Sequence, residues 1–208
     1  MSGHIILLGD SIFDNAAYVT GGRSVLDHLR RLLPDDWEAT LLAVDGATIA
    51  STQRQLQDLP DDATHLVLSV GGNDALGYGG DILSQLTDSV ADALNTIAAM
   101  REDFSRQYCG LIQELRSFRL PLAICTVYDH VPGLQPPESA GLAIFNDEIT
   151  RTALTAGATL IDLRLICTEA ADYAEVSPIE PSETGGEKIA QAIHTALFEA
   201  EAGRRVVV

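Results

Sequence analysis

Short apolar runs alternate along this chain with longer stretches in which apolar residues recur every three or four positions. The run His4–Gly9 (HIILLG) has almost no polar break and closes on glycine, the pattern of a buried strand. Glu38–Val44 (EATLLAV), Leu120–Asp129 (LPLAICTVYD) and Ala158–Leu163 (ATLIDL) read the same way, and Thr64–Asp74 (THLVLSVGGND) predicts a strand entering a glycine turn. Between them, Arg23–Leu33 places Val25, Leu26, Leu29, Leu32 and Leu33 at helical spacing. Gly46–Leu56 predicts a turn and a helix. Ile82–Phe118 keeps helical spacing over so long a stretch that it predicts at least two helices or one broken helix. Leu142–Gly157 predicts a helix stopped by its glycine, and Thr184–Ala200 a closing helix. The tail Glu201–Val208 carries no usable pattern.

Strands alternating with helices predict an α/β fold, a three-layer α/β/α sandwich with a five-stranded parallel sheet covered on both faces. Right-handed crossovers make a doubly wound arrangement the simplest topology. With no internal repeat and no linker, residues 1–208 form one domain. Ligands of such folds sit at the carboxyl ends of the strands. That rule selects the positions after Leu8, Val44, Val70 and Val127, and glycine turns follow the first three as GDS, DGA and GGND.

Each turn offers a group suited to acyl transfer. Ser11 lies just past the first strand, where a helix start would surround its hydroxyl with free N–H groups. The Gly46 N–H and the Asn73 side-chain amide are two more donors for a developing oxyanion. A hydroxyl attacking a carbonyl needs such donors. Each feature alone has a plainer reading: Ser11 as a helix cap, the glycines as turns.

Together, LLGDSI, VDGATI, VGGNDAL and IEPSETGGEKIA, in order from Ile6 to Ala190, resemble the SGNH hydrolases, also called the GDSL esterase/lipase family. The resemblance implies a flavodoxin-like sandwich, a Ser11 nucleophile, and an oxyanion hole made of the Ser11 N–H, the Gly46 N–H and the Asn73 amide. It implies metal-free hydrolysis of carboxylic esters or thioesters, with no cofactor and a small-molecule ester as substrate.

One motif departs from the family. Where the family has Asp-x-x-His-Pro, this chain has Ser177, Pro178, Ile179, Glu180 and Pro181, so the orienting aspartate and the basic histidine are both replaced. Three readings follow. Glu180 acts as the base, although a free carboxylate at about 4.3 against about 6.5 for histidine has roughly 3 kcal/mol less driving force. Alternatively a histidine comes from elsewhere. His130, after the fourth strand and beside Asp129, is the candidate on the active rim, whereas His4, His28, His65 and His194 sit at strand starts or within helices. In the third reading the fold has lost hydrolysis and binds a ligand.

Composition narrows the classes. The formal net charge of -17 argues against nucleic acids and anionic membranes as partners. Cys109, Cys125 and Cys167 have no paired spacing and read as free thiols. The chain enters its first strand without a basic segment or a long apolar stretch, which predicts no leader, no membrane insertion and a cytoplasmic location. Asp10, Asp14, Asn15, Asp45 and Asp74 also lie on the rim. A divalent-metal phosphoesterase built on them would lack the histidines such sites use, so they read as caps of turns.

Overall fold

The structure, a computed structural model, describes residues 2–199 and 206–207. In chain order the main elements are β1 (Gly3–Gly9), α1 (Val25–Leu32), β2 (Trp37–Leu41), α2 (Ile49–Gln55), β3 (His65–Ser69), α3 (Gly72–Ile82), α4 (Val90–Ser117), β4 (Leu122–Cys125), α5 (Pro136–Ala156), β5 (Thr159–Ile161), a single-turn α6 (Leu163–Ile166), β6 (Tyr173–Ala174), β7 (Ser177–Pro181), α7 (Glu183–His194) and β8 (Val206–Val207). The parallel sheet runs in the order β2-β1-β3-β4-β5-β8. Its first five strands have the 2-1-3-4-5 order of flavodoxin-like sheets.

β1 lies between β2 and β3, and every one of its residues is buried. Its side chains alternate between faces, as strand geometry requires. Ile5 and Leu7 join Val25, Leu29, Ile189 and Ile193 of α1 and α7 on one side. Ile6 and Leu8 join Ile49, Phe104, Tyr108, Leu111 and Ile149 of α2, α4 and α5 on the other. Two cores on one sheet explain why β1 reads as unbroken apolar sequence.

The sheet has six strands where the sequence predicts five. β8 pairs in parallel with β5 through Leu160↔Val206 and Ile161↔Val207, and two residues are too few to leave a periodic signal. A separate antiparallel pair, β6 and β7, carries the last motif. β2 stops at Leu41 and β4 at Cys125, short of the expected Val44 and Asp129. The chain beyond them continues as loop held by the neighbouring strands: Val44 N donates to Gly9 O at 3.0 Å and Thr126 N to Ile161 O at 3.0 Å. After β4, burial rather than the strand ladder accounts for the apolar Val127 and Tyr128, whereas Val44 after β2 is exposed.

Helix boundaries also move. The expected glycine turn at Gly71–Asp74 is the beginning of α3, with Gly71 at the N-cap in a conformation, φ 125°, that favours glycine. The long stretch breaks at residues 83–89, and α4 starts where the Ser89 hydroxyl accepts from Asp92 N at 3.1 Å. α5 begins at Pro136 rather than Leu142, because proline suits a helix's first turn. The closing helix is α-helical only to His194 and continues as a π-helical turn over Thr195–Glu199, while its expected last residue, Ala200, lies outside the described residues. Among the described residues no helix is long and apolar enough to cross a membrane.

Candidate active site

The carboxyl end of β1 is built around Gly9. Its φ is 122°, and a Cβ there would stand 1.7 Å from Ser69 O of β3, so only glycine fits. The buried Gln55 side chain then takes both backbone groups of Gly9, accepting from its N–H at 2.9 Å and donating to its carbonyl at 2.8 Å. The chain turns sharply into Ser11: Phe13 N and Asp14 N both donate to Asp10 O at 3.1 Å. This single turn corrects the expected helix start at Ser11, since the next α-helix opens only at Val25. Ser11 is 7% exposed. Gln55→Leu keeps the volume but leaves the buried Gly9 N–H unpaired and takes one of two donors from its carbonyl, which Val44 N still bonds. It should destabilise the fold by about 2 kcal/mol or more, measured by urea unfolding.

The loop after β2 carries Gly46, in a left-handed conformation at φ 74°. Asp45 anchors it, accepting from Tyr18 Oη at 2.7 Å and donating its N–H to Asp14 Oδ2 at 3.0 Å. Asn73 lies in the first turn of α3, and its Nδ2 donates to Ala47 O at 3.0 Å. That bond brings Asn73 to the Gly46 loop and leaves its second amide hydrogen for a ligand. Asp74 strengthens the same junction by accepting from Ile49 N at 3.1 Å. Ser11, Gly46 and Asn73 thus follow three adjacent strands of one sheet rim.

Glu180 lies in β7 and is 4% exposed. Its carboxyl meets the Ser11 hydroxyl, and its pKa is raised to about 7. Burial is the main cause. The Ser11 hydrogen bond opposes it, and the Asp45 charge adds to it. Glu180 Oε2 is buried with no hydrogen-bond partner. Beneath this pair lies Asp10, 2% exposed, whose carboxyl accepts from Ile12 N at 3.2 Å. Burial, with Glu180 and Asp74 nearby, pushes its pKa up to about 8 against the Ile12 bond, so it holds a proton at neutral pH.

His130 is exposed on the rim, with Nδ1 3.0 Å from Asp129 Oδ1. Its partner is its own neighbour, whereas Glu180 meets Ser11. His4 is held between Asp62 at 2.9 Å and Thr40 at 2.7 Å at the opposite end of the sheet. Cys125 and Cys167 are buried, Cys109 is half-buried, and all three are free. No group of three or more His, Cys, Asp or Glu among the described residues is arranged to hold a metal ion. Open grooves of about 390 Å³ and 510 Å³ lie between α4 and α5, lined partly by Arg101, and touch none of these rim residues.

Four side chains that shape the rim escaped sequence reasoning in their role; only Asn15 was placed on the rim, and that as the cap of a turn. Gln55 fixes Gly9. Asn146 takes both backbone groups of Val127, accepting at 2.9 Å and donating at 2.8 Å. Asn15 accepts from Val25 N at 2.9 Å and donates to Pro181 O at 3.1 Å. Tyr128 Oη donates to Ile179 O at 2.6 Å. The available signal was a polar residue on the buried side of an apolar helix, as Asn146 is between Phe145 and Ile149.

The profile of the GDSL-like lipase/acylhydrolase family matches residues 7–188. No curated protein sequence is significantly similar to this chain. Solved structures with the same fold include the lipase Lip_vut3 from a goat rumen metagenome, at TM-score 0.73 and 14% identity over 95% of this chain and 98% of that one. The extracellular lipase of Streptomyces rimosus superposes at TM-score 0.67 and 17% identity over 94% of this chain and all of that one. The acetylxylan esterase Axe2 of Geobacillus stearothermophilus gives TM-score 0.68 and 13% identity over 94% of each chain.

Proposed function

Because the chain belongs to the GDSL-like lipase/acylhydrolase family, we propose that it hydrolyses small carboxylic esters through an acyl-enzyme on Ser11, with Glu180 as the base. The similar structures are named lipases and an acetylxylan esterase, and the ester class is carried to this chain from them.

The observation that carries the reading is the buried Glu180 carboxyl against the Ser11 hydroxyl, with its pKa at about 7. An ordinary glutamate is too weak a base for this work by roughly 3 kcal/mol relative to histidine. Burial recovers that difference, so the carboxylate has a histidine's basicity near neutral pH. Ser11 Oγ attacks the carbonyl carbon and its proton passes to Glu180. The Ser11 N–H, the Gly46 N–H and the free hydrogen of the Asn73 amide receive the oxyanion. Glu180 then gives the proton to the departing alkoxide, and water repeats the sequence in reverse to release the acid.

A fluorophosphonate tests the nucleophile directly. One label per chain on Ser11, absent in Ser11→Ala, is expected, together with turnover of p-nitrophenyl acetate. Neither label nor turnover over a broad ester panel would leave the ligand-binding reading in its place. The three free cysteines suit a reducing compartment such as the cytoplasm.

A further inference from the structure

In the family's last motif an aspartate three residues before the base orients it, but here that position is Ser177, paired across the hairpin with Ala174. Something else must hold Glu180. Its own Oε2 has no partner, so the side chain is not fixed by a carboxyl network. The backbone on either side of it is. Tyr128, 2% exposed, donates from Oη to the carbonyl of Ile179 at 2.6 Å. Asn15, fully buried, donates to the carbonyl of Pro181 at 3.1 Å. The peptide entering Glu180, and the Pro181–Ser182 peptide one residue beyond it, are thus tied to two other loops of the rim. Tyr128 is itself fixed, because Asn146 locks Val127 and the Tyr173 ring packs edge-on at 5.0 Å.

We propose that Tyr128 is a positioning residue that holds Glu180 against Ser11 by bonding the Ile179 carbonyl, in place of the missing carboxylate. The inference rests on Glu180 being the base. A hydroxyl that fixes the peptide before a base sets the reach and the desolvation of that base without touching substrate.

Tyr128→Phe removes one hydroxyl and keeps the ring. Tyr173→Phe is the matched control. It keeps the ring that packs on Tyr128 and the backbone pairing with Pro181, and removes only a buried tyrosine–carbonyl bond, to Cys167 O at 2.8 Å. Two readouts are taken: kcat and KM for p-nitrophenyl acetate, and the carboxyl titration of Glu180 by carbon-13 NMR of glutamate-labelled protein, assigned with Glu180→Gln. Asp10, Asp45, Tyr18 and Ser11 face Glu180 from the other elements and stay in place in both variants.

For Tyr128→Phe, kcat should fall about tenfold to a hundredfold with KM unchanged. The Glu180 titration should move down toward the ordinary carboxylate range as water reaches the loosened loop. Tyr173→Phe should lower the melting temperature and move neither readout. Wild-type kcat and Glu180 titration in Tyr128→Phe, or equal changes in both variants, would overturn the proposal. If the wild-type protein neither labels nor turns over ester, the hydrolase reading fails, and the titration alone then decides whether Tyr128 positions Glu180.

Discussion

Glu180→Gln should lower kcat by about 10² to 10⁴-fold while the protein remains folded. Glutamine keeps the shape of the side chain and its hydrogen bond with Ser11, but it cannot accept the hydroxyl's proton. The same logic sets the pH profile. As the proposed base Glu180 would work only as a carboxylate, and its pKa is about 7. Activity should therefore rise with pH through about 7, where an unburied glutamate would already be fully ionised at pH 6. His130→Ala should leave both kcat and this limb unchanged, because the exposed imidazole pairs with Asp129. Steady-state kinetics of the two variants between pH 5 and 9 provide the measurement. Loss of turnover in His130→Ala with activity retained in Glu180→Gln would refute the glutamate mechanism.

Asp10→Asn should stabilise the protein at pH 8 by roughly 2–4 kcal/mol and have little effect near pH 4. Asp10 titrates at 3.8 when unperturbed and at about 8 in the folded protein, where burial opposes its charge. Between those values the folded chain holds a proton that the unfolded chain has lost. The stability this group contributes is thus full below about pH 4 and falls as pH rises toward 8. Asparagine is uncharged throughout and still accepts from Ile12 N, so the variant escapes that loss. Glu180, also raised, pulls in the same direction up to about pH 7. Urea unfolding at pH 4.5, 6 and 8 reads the difference, and a gain that does not grow with pH would contradict it. Asp10 is neutral over the acid limb of the activity profile, so Asp10→Asn should leave that limb in place. The site thus holds two buried acids that lower stability near neutral pH, one of them against the Ser11 hydroxyl, as functional sites commonly do.

Much of the sheet was legible because its strands bury both faces. HIILLG, HLVLS and LAIC have no polar choice to make, and the alternation of such runs with amphipathic helices leaves few topologies. Strand ends were less legible. Val127 and Tyr128 are buried in a loop of the rim, and Leu42–Val44 stay apolar although Val44 is exposed, so hydrophobicity overran the hydrogen-bonded ladder at both strand ends. β7 was invisible as a strand, since Ser-Pro-Ile-Glu-Pro has neither alternation nor a β-branched run. It is strand-like because the Tyr173 and Ala174 backbone lies beside it.

By itself, the chain's sequence determined the α/β sandwich, the rim on which Ser11, Gly46 and Asn73 stand, and the place of Glu180 in the last motif. Those are consequences of periodicity, glycine positions and short motifs, which are local properties. Only the tertiary structure decided what kind of acid Glu180 is, because its raised pKa comes from burial and the Asp45 charge, against the Ser11 hydrogen bond, all contributed from distant parts of the chain. The clamps have the same origin. Gln55, Asn146, Asn15 and Tyr128 reach across 46, 19, 166 and 51 residues of sequence to the backbone they hold. A hydrogen bond of that separation leaves no mark on local spacing, and it exists only once the helices and loops have packed around the sheet.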